Sequence, residues 1–157
     1  MSQTIKERLA ELNLELPAAA KSVANYLPVM ASGNLVLTSG QLPLADGKLT
    51  ATGLLGRDLD IAAGALAARQ CALNILAQAQ AHLGSLERIA GVVKITVFVA
   101  SAPEFTEQHL VANGASDLLV AVLGDTGKHA RSAVGVAALP MNAPVEVEAF
   151  IEIAQDK

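Results

Sequence analysis

Aromatic side chains are nearly absent from this chain: among 157 residues there are no Trp, one Tyr and three Phe. Its core must therefore be aliphatic and alanine-rich. A single cysteine, Cys71, excludes an intramolecular disulfide and a cysteine-cluster metal site. Lying within a long helical pattern, Cys71 reads as a small buried hydrophobe. Charge is also sparse, at 17% of residues with a net of −4, and the basic residues are scattered singly. That distribution argues against a broad nucleic-acid footprint, which needs clustered Lys and Arg. No uncharged apolar run approaches the ~20 residues of a membrane span. The charged opening Met1–Arg8 is unlike a secretory signal, so a cytoplasmic location is expected. His82, His109 and His129 lack metal-ligand spacing. Ser39 and Ser132 lack the His/Asp pattern of a serine hydrolase.

What is present is enough apolar sequence, 52% of the chain, to bury one core. We expect a single domain over residues 1–157, with residues 1–16 as an N-terminal helical extension. Ile5, Leu9 and Leu12 recur at helical spacing, with Ser2 or Thr4 as the cap and Pro17 closing the segment. A first strand is expected over Ala24–Ala31, at an edge or bulge because of Pro28. Ser32-Gly33-Asn34 reads as a turn into Leu35–Ser39. A loop follows, with a short strand near Lys48–Thr50. Asp58 or Asp60 caps a long helix ending at Leu83-Gly84, with Leu59, Ala62, Leu66, Leu73, Leu76 and Leu83 as its buried stripe. Val92–Val99 reads as a buried central strand. A second helix is expected from Pro103-Glu104 to Leu123-Gly124, striped by Leu110, Ala115, Leu118, Leu119 and Val122. Gly114 in its middle signals a kink or a close contact. The order β-β-α-β-α-β-β predicts an α+β fold, a sheet with helices on one side. The uncovered sheet face would be apolar enough to need a partner.

The last stretch, His129–Ala154, reads as two strands, Ser132–Leu139 and Val145–Ala154, forming a hairpin around Leu139–Pro144. Alternation puts Val145, Val147, Ala149, Ile151 and Ile153 on one face, and Glu146, Glu148, Phe150 and Glu152 on the other. Arg131, Ala133 and Gly135 share a face of the first strand. If the apolar faces look the same way, Arg131 and the glutamates share the remaining one, a candidate ligand site built on rigid strands.

Three blocks carry a family resemblance. Ala130-Arg131-Ser132-x-Val134 with Leu139-Pro140 and Val145-Glu146-Val147-Glu148-Ala149 resembles the C-terminal signature of the YjgF/Rid family, the reactive-intermediate deaminases. Gly33–Pro43 resembles that family's second strand and following loop, and Gly91–Val99 its central strand. The resemblance covers about Ala18 to Ala154 and implies a chorismate-mutase-like fold and a homotrimer with ligand clefts between subunits. It also implies that Arg131 holds the carboxylate of a small imino or enamine acid, as a rigid two-pronged donor can. Glu146 matches the glutamate that positions or activates the attacking water, a chemistry needing no metal or organic cofactor. Beside Arg131, Glu146 is expected to stay ionised. Tyr26, Ser39 and Gly40 match the cleft lining. Asn113 is the candidate for the family's pocket asparagine, with Gly114 as the alternative. His129 stands where compact members carry proline and offers the pocket another donor. Ala133 replaces a cysteine common among deaminating members.

Three functions follow as expectations: an enamine/imine deaminase releasing ammonia and a 2-oxo acid, a non-catalytic trimer that binds a small carboxylate, or a ribonuclease. Retention of Arg131 and Glu146 favours the first. The altered pocket motivates the second, and the net negative charge opposes the third.

Overall fold

The computed structural model describes residues 3–155. Helix α1 (Ile5–Glu11) starts from a reciprocal cap. The Thr4 hydroxyl accepts from the Glu7 N–H at 3.2 Å, and the Glu7 carboxylate accepts from the Thr4 N–H at 2.8 Å. Ser2, the alternative cap, lies outside the described residues. The helix is docked: Ile5 is buried, and its N–H donates to Glu87 Oε1 at 2.7 Å.

Strand β1 (Val29–Ser32) begins after Pro28, later than the expected Ala24. Proline has no N–H to give a ladder, and residues 23–27 remain exposed. Gly33, at φ 60°, turns the chain into β2 (Leu35–Thr38), with Ser32 paired to Leu35. The following loop holds a two-stranded ribbon, β3 (Leu44–Ala45) and β4 (Lys48–Leu49).

Helix α2 (Ile61–Leu83) is capped by Asp60, whose carboxylate accepts from the Ala63 N–H at 2.8 Å, and stopped by Gly84 at φ 80°. Its buried side agrees with the expected stripe at Leu73, Leu76 and Leu83 and departs from it at Ala62 and Leu66. Leu66 is 67% exposed and Ala62 is exposed, while Gly64, Ala67, Ala68, Cys71, Ala72, Ile75, Leu76 and Ala79 are buried. Small residues share the buried side with Leu73, Ile75, Leu76 and Leu83 and let α2 approach its neighbours closely. Helix α3 (Gln108–Leu123) starts later than Pro103, after an irregular segment, and buries Val111 and Ala112 rather than Leu110. A Cβ on Gly114 would collide with the carbonyl oxygen of Ala65, so Gly114 marks a close contact between α2 and α3.

The main sheet has the order β1-β2-β7-β5-β6, where β5 is Ile89–Ala100, β6 is Ala130–Val136 and β7 is Val145–Ile153. The chain order is the expected β-β-α-β-α-β-β, augmented by α1 and the ribbon. β6 and β7 do not form the expected hairpin: β5 lies between them, parallel to β6 and antiparallel to β7. The eight residues 137–144 are long for a tight reversal. They include a 3-10 turn at Pro140–Asn142, with Met141 and Asn142 at positive φ. β5 is hydrogen-bonded along both edges and so separates β6 from β7.

This order settles the faces. Ile95, Val97 and Val99 of β5 stand beside Ala149, Val147 and Val145 of β7 under the two main helices. On the other side lie rows such as Met30, Leu37, Phe150 and Lys94. That open face keeps Met30, Val93, Val134 and Phe150 between 39% and 61% exposed. Among the described residues, no helix is long and apolar enough to cross a membrane.

Candidate functional site

Strands β2 and β7 part company beside the loop after β2. The Thr38 hydroxyl oxygen accepts from the Ala149 N–H at 3.1 Å, and backbone pairing resumes where Gln41 exchanges bonds with Val147 at 2.8 and 3.1 Å. Ser39 and Gly40 therefore stand opposite the single residue Glu148, the two-against-one arrangement of a β-bulge. Both Ser39 donors turn toward the preceding segment. Its N–H reaches the Pro28 carbonyl at 2.9 Å and its hydroxyl the Leu27 carbonyl at 2.6 Å. Ser39 thus holds the Tyr26 segment in place, and its hydroxyl is left only as an acceptor. The N–H of Gly40 has no acceptor among the described residues.

Against this bulge lies a cavity of about 390 Å³. Tyr26, Gly40, Gln41, Met141 and Glu146 line it, together with Lys21. Gln78 Nε2 donates to the Ala20 carbonyl at 2.7 Å and ties the outer wall to α2. Glu146 is half-buried, and its carboxylate has no hydrogen-bond donor among the described residues. Burial, and secondarily the charge of Glu148, push its pKa above the ordinary carboxylate value. The expectation that Arg131 would hold Glu146 ionised does not apply within one chain.

Arg131 occupies a different place. In the ladder it stands beside Ile95, and Ile95 stands beside Ala149, so its side chain leaves the sheet on the helix-covered side. Glu146 stands beside Phe98 and Val134 on the open side. The expectation that Arg131 shares a face with the glutamates is therefore overturned. It assumed that β6 turned its valines inward, whereas Val134 is exposed and Ala133 packs against the core. The residues are also separated by β5 and by three ladder positions, about 10 Å in each direction.

At the outer edge of β6, the Arg131 guanidinium is gripped by α3. Nη1 donates to Asn113 Oδ1 at 2.9 Å and to Ser116 Oγ at 3.1 Å, and Nη2 donates to the His109 carbonyl at 3.2 Å. Three of the five guanidinium N–H groups are thereby committed. Nε–H and one N–H of Nη2 remain for a further acceptor, and no carboxylate of the described residues pairs with Arg131. Asn113, rather than Gly114, is the residue beside Arg131. His129 contributes indirectly, because its ring contacts Ser116 Oγ at 2.9 Å and the Gly127 carbonyl at 2.6 Å.

Two clusters result: Tyr26, Ser39, Gly40 and Glu146 at one end of the sheet, and Arg131, Asn113 and His129 at the outer edge. Ala133 lies near the second but offers only a methyl group to the core. Lys21 and Ser116 were missed. No motif marks Lys21. Ser116 had a signal, since His109, Asn113 and Ser116 fall at i, i+4 and i+7 along one face of α3. Cys71 is buried with its thiol pKa pushed up by that burial, which makes it unreactive. Among the described residues no group of three or more His, Cys, Asp or Glu could hold a metal ion.

Residues 6–153 match the family model described as "YjgF/chorismate mutase-like, putative endoribonuclease". Protein TCP17 of Trypanosoma cruzi is 50% identical over 153 residues, covering 97% of this chain and 96% of its own. Protein HMF1 of Saccharomyces cerevisiae is 35% identical over 135 residues, covering 85% and 86% respectively. Among solved structures, protein Atu1372 of Agrobacterium tumefaciens, of unknown function, superposes with a TM-score of 0.90 at 56% identity. That match covers 96% of this chain and 92% of the other.

Proposed function

The chain belongs to the YjgF/chorismate mutase-like family, and from that premise we propose that it hydrolyses small carboxylated imines or enamines to a 2-oxo acid and ammonia. One observation carries this reading. Arg131 is oriented by three neutral acceptors, lacks a carboxylate partner among the described residues, and keeps two N–H groups for one. An arginine so held is prepared for a ligand's carboxylate.

The remaining chemistry needs a water and a group to take its proton. Glu146 suits that task, since burial raises its proton affinity above that of an ordinary carboxylate. Water adds to the imine carbon as the carboxylate takes its proton, giving a carbinolamine. Transfer of a proton to nitrogen then lets ammonia leave as the C=O bond forms. An enamine enters the same sequence after protonation at its β-carbon.

Within one chain the carboxylate anchor and the base point from opposite faces. We therefore place the complete site between copies in a homotrimer, with the Arg131 edge of one chain closing the Glu146 cavity of the next. The uncovered face, carrying Met30, Phe98, Val134 and Phe150, supports such an assembly. Glu146, Glu148 and Glu152 on that same face oppose binding of a polyphosphate backbone, which weighs against ribonuclease action.

An amino-acid oxidase generating 2-imino acids in place, with semicarbazide competing for them, tests the reading. Release of 2-oxo acid above the spontaneous rate, lost in Arg131→Ala while the assembly persists, is the expected result. Saturable binding of a 2-oxo acid without acceleration for any imine would replace catalysis with carboxylate binding alone.

A further inference from the structure

We propose that Ser116 and His129 are positioning residues for Arg131, acting as a directional hydrogen-bond relay that fixes the guanidinium for a ligand carboxylate. The inference rests on the assignment of Arg131 as the carboxylate anchor and adds what holds it.

The direction of the relay follows from its fixed end. Gly127 offers a carbonyl oxygen, which can only accept, at 2.6 Å from His129 Nδ1. Nδ1 therefore carries a proton. In the neutral ring Nε2 is then an acceptor, and its partner at 2.9 Å is the Ser116 hydroxyl. The serine proton points to His129, which turns the oxygen lone pairs away from the ring. Arg131 Nη1, 3.1 Å from that oxygen, donates into one of them. Each link specifies the next, from the Gly127 carbonyl through His129 and Ser116 to Arg131.

The scaffold supports this order. Gly127 is buried, and a side chain there would strike the Leu119 carbonyl of α3, so the backbone that presents its oxygen is packed tightly on the helix carrying Ser116. Asn113, one turn earlier on α3, takes the second Nη1 proton. With both Nη1 protons and one Nη2 proton held, the guanidinium cannot rotate about its stem without breaking three bonds. A serine hydroxyl without the His129 acceptor could instead turn its proton toward Arg131, where like polarity would release the guanidinium.

Because the relay holds Arg131 identically with substrate or transition state bound, its loss should weaken carboxylate binding and spare the chemical step. Ser116→Ala and His129→Ala are expected to raise KM for the imino acid, and the dissociation constant of pyruvate used as a probe, by roughly two- to tenfold, with kcat within about twofold. His129→Gln, whose amide oxygen can reach the Nε2 position, should restore affinity. His129→Asn, which reaches only the Nδ1 position, should not. Long-range proton–nitrogen NMR of the whole protein above neutral pH should show His129 with its proton on Nδ1.

A proton on Nε2 overturns the proposal, as does unchanged pyruvate affinity in Ser116→Ala and His129→Ala when Arg131→Ala weakens it. Should Arg131→Ala bind pyruvate as tightly as the parent protein, the carboxylate anchor itself is lost, and the positioning role with it. Pyruvate binding needs no turnover, so failure of the deaminase reading is separable from failure of the relay.

Discussion

The carboxylate of Glu146 occupies the space that a side chain on Gly40 would need. A Cβ built on Gly40 would collide with Glu146 Oε1 and lie 2.7 Å from Cδ and 2.9 Å from Cγ. Gly40 is not among the residues at positive φ, so volume rather than backbone conformation requires glycine there. The bulge after β2 and the outward face of β7 thus form one unit, and the carboxylate rests against the main chain of Gly40.

Gly40→Ala should therefore push Glu146 out of its place without disrupting the sheet, because the clash is with the far end of a flexible side chain. We expect imine hydrolysis to fall about tenfold or more, as displacement of a reacting group by ~1 Å can cost much more. The midpoint of thermal unfolding should change little. Comparing kcat with the melting curve of the same preparation checks this.

The raised pKa of Glu146 has a stability consequence whose sign can be worked out. A carboxyl whose folded pKa exceeds its unfolded value costs stability when ionised, and the cost is relieved as pH falls through the folded pKa toward the ordinary 4.5. In an Arg131→Ala background, Glu146→Gln should raise Tm at pH 7 by roughly 1–3 °C, with the gain fading toward pH 4.5. With Arg131 present, the proposed assembly predicts a smaller gain, because a neighbouring copy's guanidinium would offset part of that cost. Non-additivity of at least ~0.5 kcal/mol across the four proteins would be the sign of their proximity. Additive effects would place the two side chains apart in the assembly.

Gly114→Ala sets two effects against each other. Alanine favours helix by roughly 1 kcal/mol, but its Cβ would meet the Ala65 main chain where α2 and α3 touch. Backbone cannot yield as a side-chain tip can, so overpacking should win, with a net loss of about 1–3 kcal/mol. Urea unfolding of the two proteins measures the difference.

Local signals in the chain proved readable wherever physics is local. Of the offered caps, Thr4 and Asp60 are the ones used, and Gly84 ends α2 as expected, all through hydrogen bonds a few residues long. Alternation along Val145–Ile153 assigned the inward and outward residues of β7, Glu146 included. Less local features were misread. On α2 the expected stripe holds at Leu73, Leu76 and Leu83 and fails at Ala62 and Leu66, where Gly64, Ala67 and Ala68 take the buried side, because closeness of approach, and not side-chain size alone, decides what is buried. Pro28 removed the first half of the expected β1.

By itself, then, the sequence determined the order of elements, the C-terminal stop of α2, the family and the residues worth suspecting, since these follow from propensity, periodicity and motif. Only the tertiary structure decided that β5 separates β6 from β7. With that pairing it decided that Arg131 and Glu146 leave opposite faces of the sheet. Nothing along the chain encodes which edge of β5 a neighbour will choose. That choice is made by the packing of α2 and α3 on one face, and it separates the residues of one apparent site into two clusters.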